Sequence, residues 1–399
     1  MDEPARNRFL TPFLNLGHFL DHLVMLIFPT VVIGLTREWH MGYSELLPYA
    51  VGGFVAFGAF ALPAGWLADH WGRYKMMVVF FFGAGASLTA TGFARTPLEI
   101  GVGLTFVGTF AAIYHPVATA LLVADPKRIG RVLGWNGLWG NFGLGAAALV
   151  AGALMQFAGW RAAFFVPGAA TLAAGAAFVA LARDPGKVAR TGKRLGLDIA
   201  AGTMWRIFGV VLLATVCGGI IFNATTVAMP KVFQERMAAL THTSLGIGAL
   251  VSAVYCIAAV AQVVVGTLID RIELKRVFVP VALLQVPFLL LAGTLSGVAM
   301  LVVSVLMMLV VFGQIPLNDA LLGRYTRDEY RARVYAVRYV VSLGVAAVGV
   351  PLIALLYRGT GGFRSVFGAL SVLALLTLAG ALLLPSRAQI EAARAPAGA

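Results

Sequence analysis

Runs of 18 or more mostly apolar residues recur from one end of this chain to the other. A run of that length crosses the roughly 30 Å hydrocarbon core of a bilayer as an α-helix. Inside that core only helices and closed barrels satisfy every backbone polar group. Composition agrees: 60% of the 399 residues are hydrophobic and 12% are charged, against about 45–50% and about 25% in soluble domains. The sequence predicts an all-α integral membrane protein and excludes a soluble enzyme. The opening MDEPARNRFLTPF lacks a cleavable pattern, so the first span is expected to stay in place.

Twelve spans are expected, near 10–36, 44–68, 76–94, 98–123, 130–157, 161–182, 206–229, 243–268, 277–296, 298–322, 332–357 and 363–384. Alternating sides hold 22 and seven Lys and Arg residues, with Arg338 left inside a span. The basic side carries both termini, which the positive-inside rule places in the cytoplasm. The net charge of +13 therefore reads as membrane orientation, and no nucleic-acid partner is expected. Cys217 and Cys256 lie apart in apolar segments and read as small core residues.

The polar, basic stretch from Arg183 to Arg206 looks like a linker between two halves that repeat one another. GWLADHWGRYK (Gly65 to Lys75) recurs as GTLIDRIELKR (Gly266 to Arg276), offset by 201 residues. Pro29 recurs as Pro230 at 201, Pro116 as Pro316 at 200, and GWRAAF (from Gly159) as GFRSVF (from Gly362) at 203. Near-constant offsets over four landmarks predict two parallel, pseudo-symmetric six-helix bundles. The expected organisation is an N-terminal bundle over 1–182, a cytoplasmic linker over 183–205, and a C-terminal bundle with a short tail over 206–399.

The loop motif in GWLADHWGRYK resembles the signature of the major facilitator superfamily, and length, span number and central basic loop extend the resemblance over the whole chain. The resemblance implies a cytoplasmic gate of Gly65, Asp69 and Arg73, with Asp270 and Arg271 as a weaker second copy. It also implies that spans 1, 4, 7 and 10 line a cavity. HFLDHLVMLIFP in span 1 and AIYHP in span 4 resemble the fosmidomycin-resistance-like branch, which expels small polar compounds in exchange for protons. In span 5, Gly134 and Gly143 keep the spacing of an antiporter motif, while Ala147 and Ala148 stand where it has Gly-Pro.

Asp21 lies 13 residues from Arg8 and 16 from Arg37, near mid-bilayer. A carboxylate there costs roughly 2.5–3.5 kcal/mol on insertion scales, and proton relays in transporters are built from such Asp and His residues. Asp21 is the candidate proton-coupling residue, with His18 and His22 on the same helical face and His115 at similar depth. The same four side chains form a recognised ligand set for a divalent metal. Arg338 either pairs with Asp319 or offers a planar cation to an anionic substrate. With Arg338, the candidate substrate-binding residues are Tyr114, Asn136, Trp139, Asn223, Gln314 and Tyr339. The glycines at 134, 137, 140 and 143 predict close helix packing. No Walker sequence or catalytic constellation is present, so neither enzymatic activity nor a cofactor is expected.

The function expected is a monomeric, proton-coupled secondary transporter, multi-pass in a bacterial inner membrane, exporting a small polar or amphipathic compound by alternating access. Its partners would be that small molecule, protons and the lipid bilayer. Two other functions fit the same residues: a transition-metal or metal-chelate transporter, and a non-transporting membrane receptor or assembly factor.

Overall fold

The computed structural model describes residues 9–122, 129–186, 201–325, 328–386 and 389; of these, the side chains at 129–131, 201, 203–204, 322–325, 328–340, 342–343 and 346 lie outside the description. Among the described residues there are helices and no strands. In chain order they are α1 (Leu10–Leu26), α2 (Phe28–Glu38), α3 (Tyr43–Leu46), α4 (Val51–Trp71), α5 (Arg73–Thr91), α6 (Pro97–Ala111), α7 (Tyr114–Leu122) and α8 (Ile129–Ala158). They continue as α9 (Ala162–Leu181), α10 (Ala201–Arg236), α11 (Ser244–Arg271), α12 (Leu274–Ala292), α13 (Gly297–Tyr325), α14 (Asp328–Thr360) and α15 (Arg364–Leu383). Taking α1–α2, α3–α4 and α6–α7 as broken pairs, 11 segments are long and apolar enough to cross a membrane. The twelfth expected span lies in α14, whose described apolar part is Ala347–Thr360.

The breaks follow from proline. Pro29 sits in the first turn of α2 and has no N–H to return to the preceding turn. The chain re-forms its helix by sending the Thr30 and Val31 N–H groups to the Ile27 carbonyl, at 3.1 and 3.2 Å. Pro116 acts likewise in span 4, where α6 ends at Ala111 and α7 begins at Tyr114. Their repeat partners behave differently: Pro230 lies inside continuous α10 and Pro316 inside continuous α13.

Elsewhere the helix ends are set locally. Thr96 caps α6 by accepting from the Glu99 N–H, and Glu99 accepts in return from the Arg95 N–H at 2.7 Å. Gly72 closes α4 and opens α5 at φ +118°, a conformation that a side chain would strain. This turn lets Asp69 and Arg73 meet at 3.0 Å.

Two compact units divide the chain: Met1–Thr191 with Thr241–Ala253, and Gly192–Leu240 with Val254–Ala399. Packing within them follows one plan. In the first, α1 lies along α8 and α5 along α9; in the second, α10 lies along α14 and α12 along α15. Leu14, Phe80, Phe81, Tyr114 and Phe178 belong to the first unit's apolar core, and Val210, Phe278, Leu317 and Leu321 to the second's. Cys217 is buried as expected, whereas Cys256 is exposed on α11 rather than held in a core. Its helix is apolar on the outward side too, as in other membrane spans.

Candidate functional site

Helical spacing presents His18, Asp21 and His22 together on α1, and the break before Pro116 starts α7 with Tyr114 and His115 beside them. The close approach of α8 completes the cluster. A Cβ at Gly143 would lie 2.0 Å from the Phe19 carbonyl oxygen, and one at Gly140 would lie 2.6 Å from His18 Nε2. At Gly143 the obstacle is backbone, so that position has to be glycine for α8 to seat against α1, while at Gly140 it is the His18 ring. Gly134 and Gly137 face open space instead, so the expected packing stripe covers only its C-terminal half.

Asp21 is 1% exposed, and His115 Nε2 stands 3.4 Å from its Oδ2. That is ion-pair range, but neither carboxylate oxygen has a well-formed hydrogen bond among the described residues. Leaving a buried acceptor in that state is costly. His18 Nδ1 donates to the Asn136 carbonyl at 2.7 Å, and the Nε2 atoms of His18 and His22 are 3.2 Å apart. The His18 ring stacks on Tyr114 with centroids 5.0 Å apart, and His115 meets both His18 and His22 edge-on. Phe57 closes one side of His115.

Polar struts hold this arrangement. The Tyr114 hydroxyl donates to the Leu14 carbonyl at 2.7 Å and accepts from Asn136 Nδ2 at 2.8 Å. Asn136 Nδ2 also lies 3.1 Å from Asn15 Oδ1. The coupling residues expected from sequence (Asp21, His18, His22 and His115) are thus brought together, and Tyr114 and Asn136 join them as framework. Trp139 is exposed on α8 and has no ring contact with the imidazoles.

The three histidines offer nitrogens that all lie within 4.8 Å of one another. They are the residues that could hold a divalent ion. Tetrahedral zinc with bonds of about 2.0–2.1 Å needs its nitrogens about 3.4 Å apart, and His18 Nδ1 is already committed to a carbonyl. Hydrogen-bonded imidazoles account for the observed spacing without such a closing movement.

The second unit carries a related strut. Gln314 stands two residues before Pro316, as Tyr114 stands before Pro116, and its Nε2 lies 3.3 Å from the Ala214 carbonyl. Gln285 Nε2 donates to Gln314 Oε1 at 2.6 Å. Gln285 was not visible as a site residue in sequence, and its only signal is a lone amide in the apolar run VALLQVPFLLL. Asn223 is buried with Oδ1 lacking a donor among the described residues. The side chains of Arg338 and Tyr339 lie outside the described residues, and with them the proposed pairing to Asp319. Of the gating set, Asp69 and Arg73 form their ion pair, Gly65 faces Pro116, and Asp270 and Arg271 end α11.

A helical, multi-pass membrane protein built from two similarly packed units, with an acid and three imidazoles at broken spans, has the construction of a secondary transporter. The chain belongs to the Major Facilitator Superfamily, whose model matches residues 14–239 and 211–398. That family is one of membrane transporters.

A puromycin resistance protein of Streptomyces alboniger is 30% identical over 162 residues, 40% of this chain and 31% of that protein. A tetracenomycin C resistance and export protein of Streptomyces glaucescens is 27% identical over 155 residues, 37% and 29% of the two chains. A gallate transporter of Pseudomonas putida is 26% identical over 186 residues, 43% and 41%. The chain thus spans about a third of the length of the first relatives it matches. The solved structure of a D-xylose-proton symporter superposes with a TM-score of 0.74 at 13% identity, covering 95% of this chain and 97% of that one.

Proposed function

We propose that this protein is a proton-coupled exporter of a small polar or amphipathic organic compound, working by alternating access. One observation carries the reading: Asp21, buried and without a well-formed hydrogen bond, lies against His115 at the interruption of span 4. Interrupted spans at mid-membrane are where transporters place ion and substrate sites. Loading Asp21 with a proton removes a buried charge and changes which state of the site is favoured.

Export is supported by the relatives named for resistance to puromycin and for resistance to and export of tetracenomycin C, while the gallate transporter keeps aromatic acids among the cargoes to be tested. In this reading Tyr114, Asn136, Trp139, Asn223, Gln314, Arg338 and Tyr339 contribute polar or aromatic contacts to cargo. Gly65, Asp69 and Arg73, with Asp270 and Arg271, form the cytoplasmic gate. The protein acts as a monomer in the bacterial plasma membrane with both termini in the cytoplasm, as its basic residues are distributed.

The test is Asp21→Asn in proteoliposomes. Transport driven by a pH gradient is expected to vanish while exchange of cargo for cargo persists. Undiminished pH-driven transport in that variant would refute the assignment.

A further inference from the structure

A backbone carbonyl gives the imidazole cluster a direction. A carbonyl oxygen can only accept, so the 2.7 Å contact of Asn136 O with His18 Nδ1 puts a proton on that nitrogen. Neutral His18 then presents a bare Nε2. Its 3.2 Å contact with His22 Nε2 is a hydrogen bond only if His22 carries the proton there. The free lone pair of His22 is consequently on Nδ1.

One further proton fits this pair. An N–H bond forms at His22 Nδ1, the His22 Nε2–H bond breaks, and an N–H bond forms at His18 Nε2. The positive charge ends on His18, whose Nδ1–H remains on the carbonyl. The proton goes no further, because Asn136 offers no group to receive it. A second added proton would set two N–H groups head to head at 3.2 Å.

We propose that His18 and His22 are a single-proton store serving the Asp21–His115 pair, with the Asn136 carbonyl as its fixed stop. When Asp21 ionises, the store holds one proton at His22 Nδ1, next to His115, whose Nε2 stands 3.4 Å from the carboxylate. The proton returns by the same two bond exchanges in reverse. Among the described residues, the titratable groups against the store are Tyr114 and His115 from α7, and Asp21 from α1 reaches it through His115. Asn136 from α8 and Phe57 from α4, which borders His115, are neutral. His18 and His22 act through Asp21, so they are positioning residues. The inference rests on the coupling reading above and extends it to where the proton waits.

The test uses the full chain, labelled with ¹⁵N-histidine, in bilayers. At alkaline pH, magic-angle NMR should show a bare nitrogen of one imidazole hydrogen-bonded to a protonated nitrogen of another. The first is His18 in its Nδ1–H form, and the second is His22 in its Nε2–H form. Lowering the pH further should then add one proton, and only one, to the pair. Proton uptake in His18→Gln and in His22→Gln should match the unmodified protein, and only the double variant should lose one proton. Loss of one proton with each single substitution would overturn the store. If the variants do not fold, the spectrum of the unmodified protein decides alone, since two imidazoles in the same tautomer exclude the directed pair. None of these measurements involves transport, so the store can fail while Asp21→Asn still uncouples, and the converse is equally visible.

Discussion

At the scale of single residues, the site depends as much on what is missing from α8 as on what α1 carries. Glycine at 143 lets the Phe19 carbonyl come within 2.0 Å of where a Cβ would stand, while glycine at 137 meets nothing within 4 Å. Gly143→Ala should therefore destabilise the protein by about 1–3 kcal/mol through overpacking, and Gly137→Ala should be neutral or slightly stabilising. Thermal unfolding of the two variants in the same detergent checks this, and equal melting temperatures would mean that α1 and α8 are not seated as described. The chemistry-bearing side chains were legible in sequence because an acid and histidines inside an apolar run have few structural excuses. Their hydrogen-bond partners were not, since the Leu14 and Asn136 contacts are to backbone carbonyls, which every residue possesses.

At the scale of elements, the prolines of spans 1 and 4 and their repeat partners have the same spacing but different outcomes. Sequence made the four prolines equivalent; in the structure only the first-half pair interrupts its helix. Pro29→Ala should let α1 run on into α2, a change worth up to about 3 kcal/mol in helix stability, and should slow transport by stiffening the joint beside Asp21. Pro230→Ala, inside an uninterrupted helix, should change the transport rate far less. Initial rates in matched proteoliposomes compare them, and equal slowing would place the joint elsewhere.

At the scale of the molecule, helix content, span number and the twofold repeat were all readable from hydropathy and offsets, because a bilayer leaves the backbone so few options. Span ends shifted by a few residues, as at α10, which extends to Arg236. There the Arg236 guanidinium binds the carbonyls of Ala292 and Gly293 at the end of α12, a favourable place for a cation. The Asp69–Arg73 pair of the loop motif is exposed enough to add little to stability.

The repeat also sets Phe222 in the register of Asp21, so the carboxylate occurs once in the duplicated pattern. On the proposed coupling, that singularity limits the work available for transport. A cycle trading one proton for one uncharged cargo molecule has at its disposal about 1.4 kcal/mol per unit of pH difference and about 2.3 kcal/mol per 100 mV of membrane potential. With the potential clamped at zero, the cargo gradient should level off at about tenfold per pH unit. A steeper plateau would require a second ion in each turn.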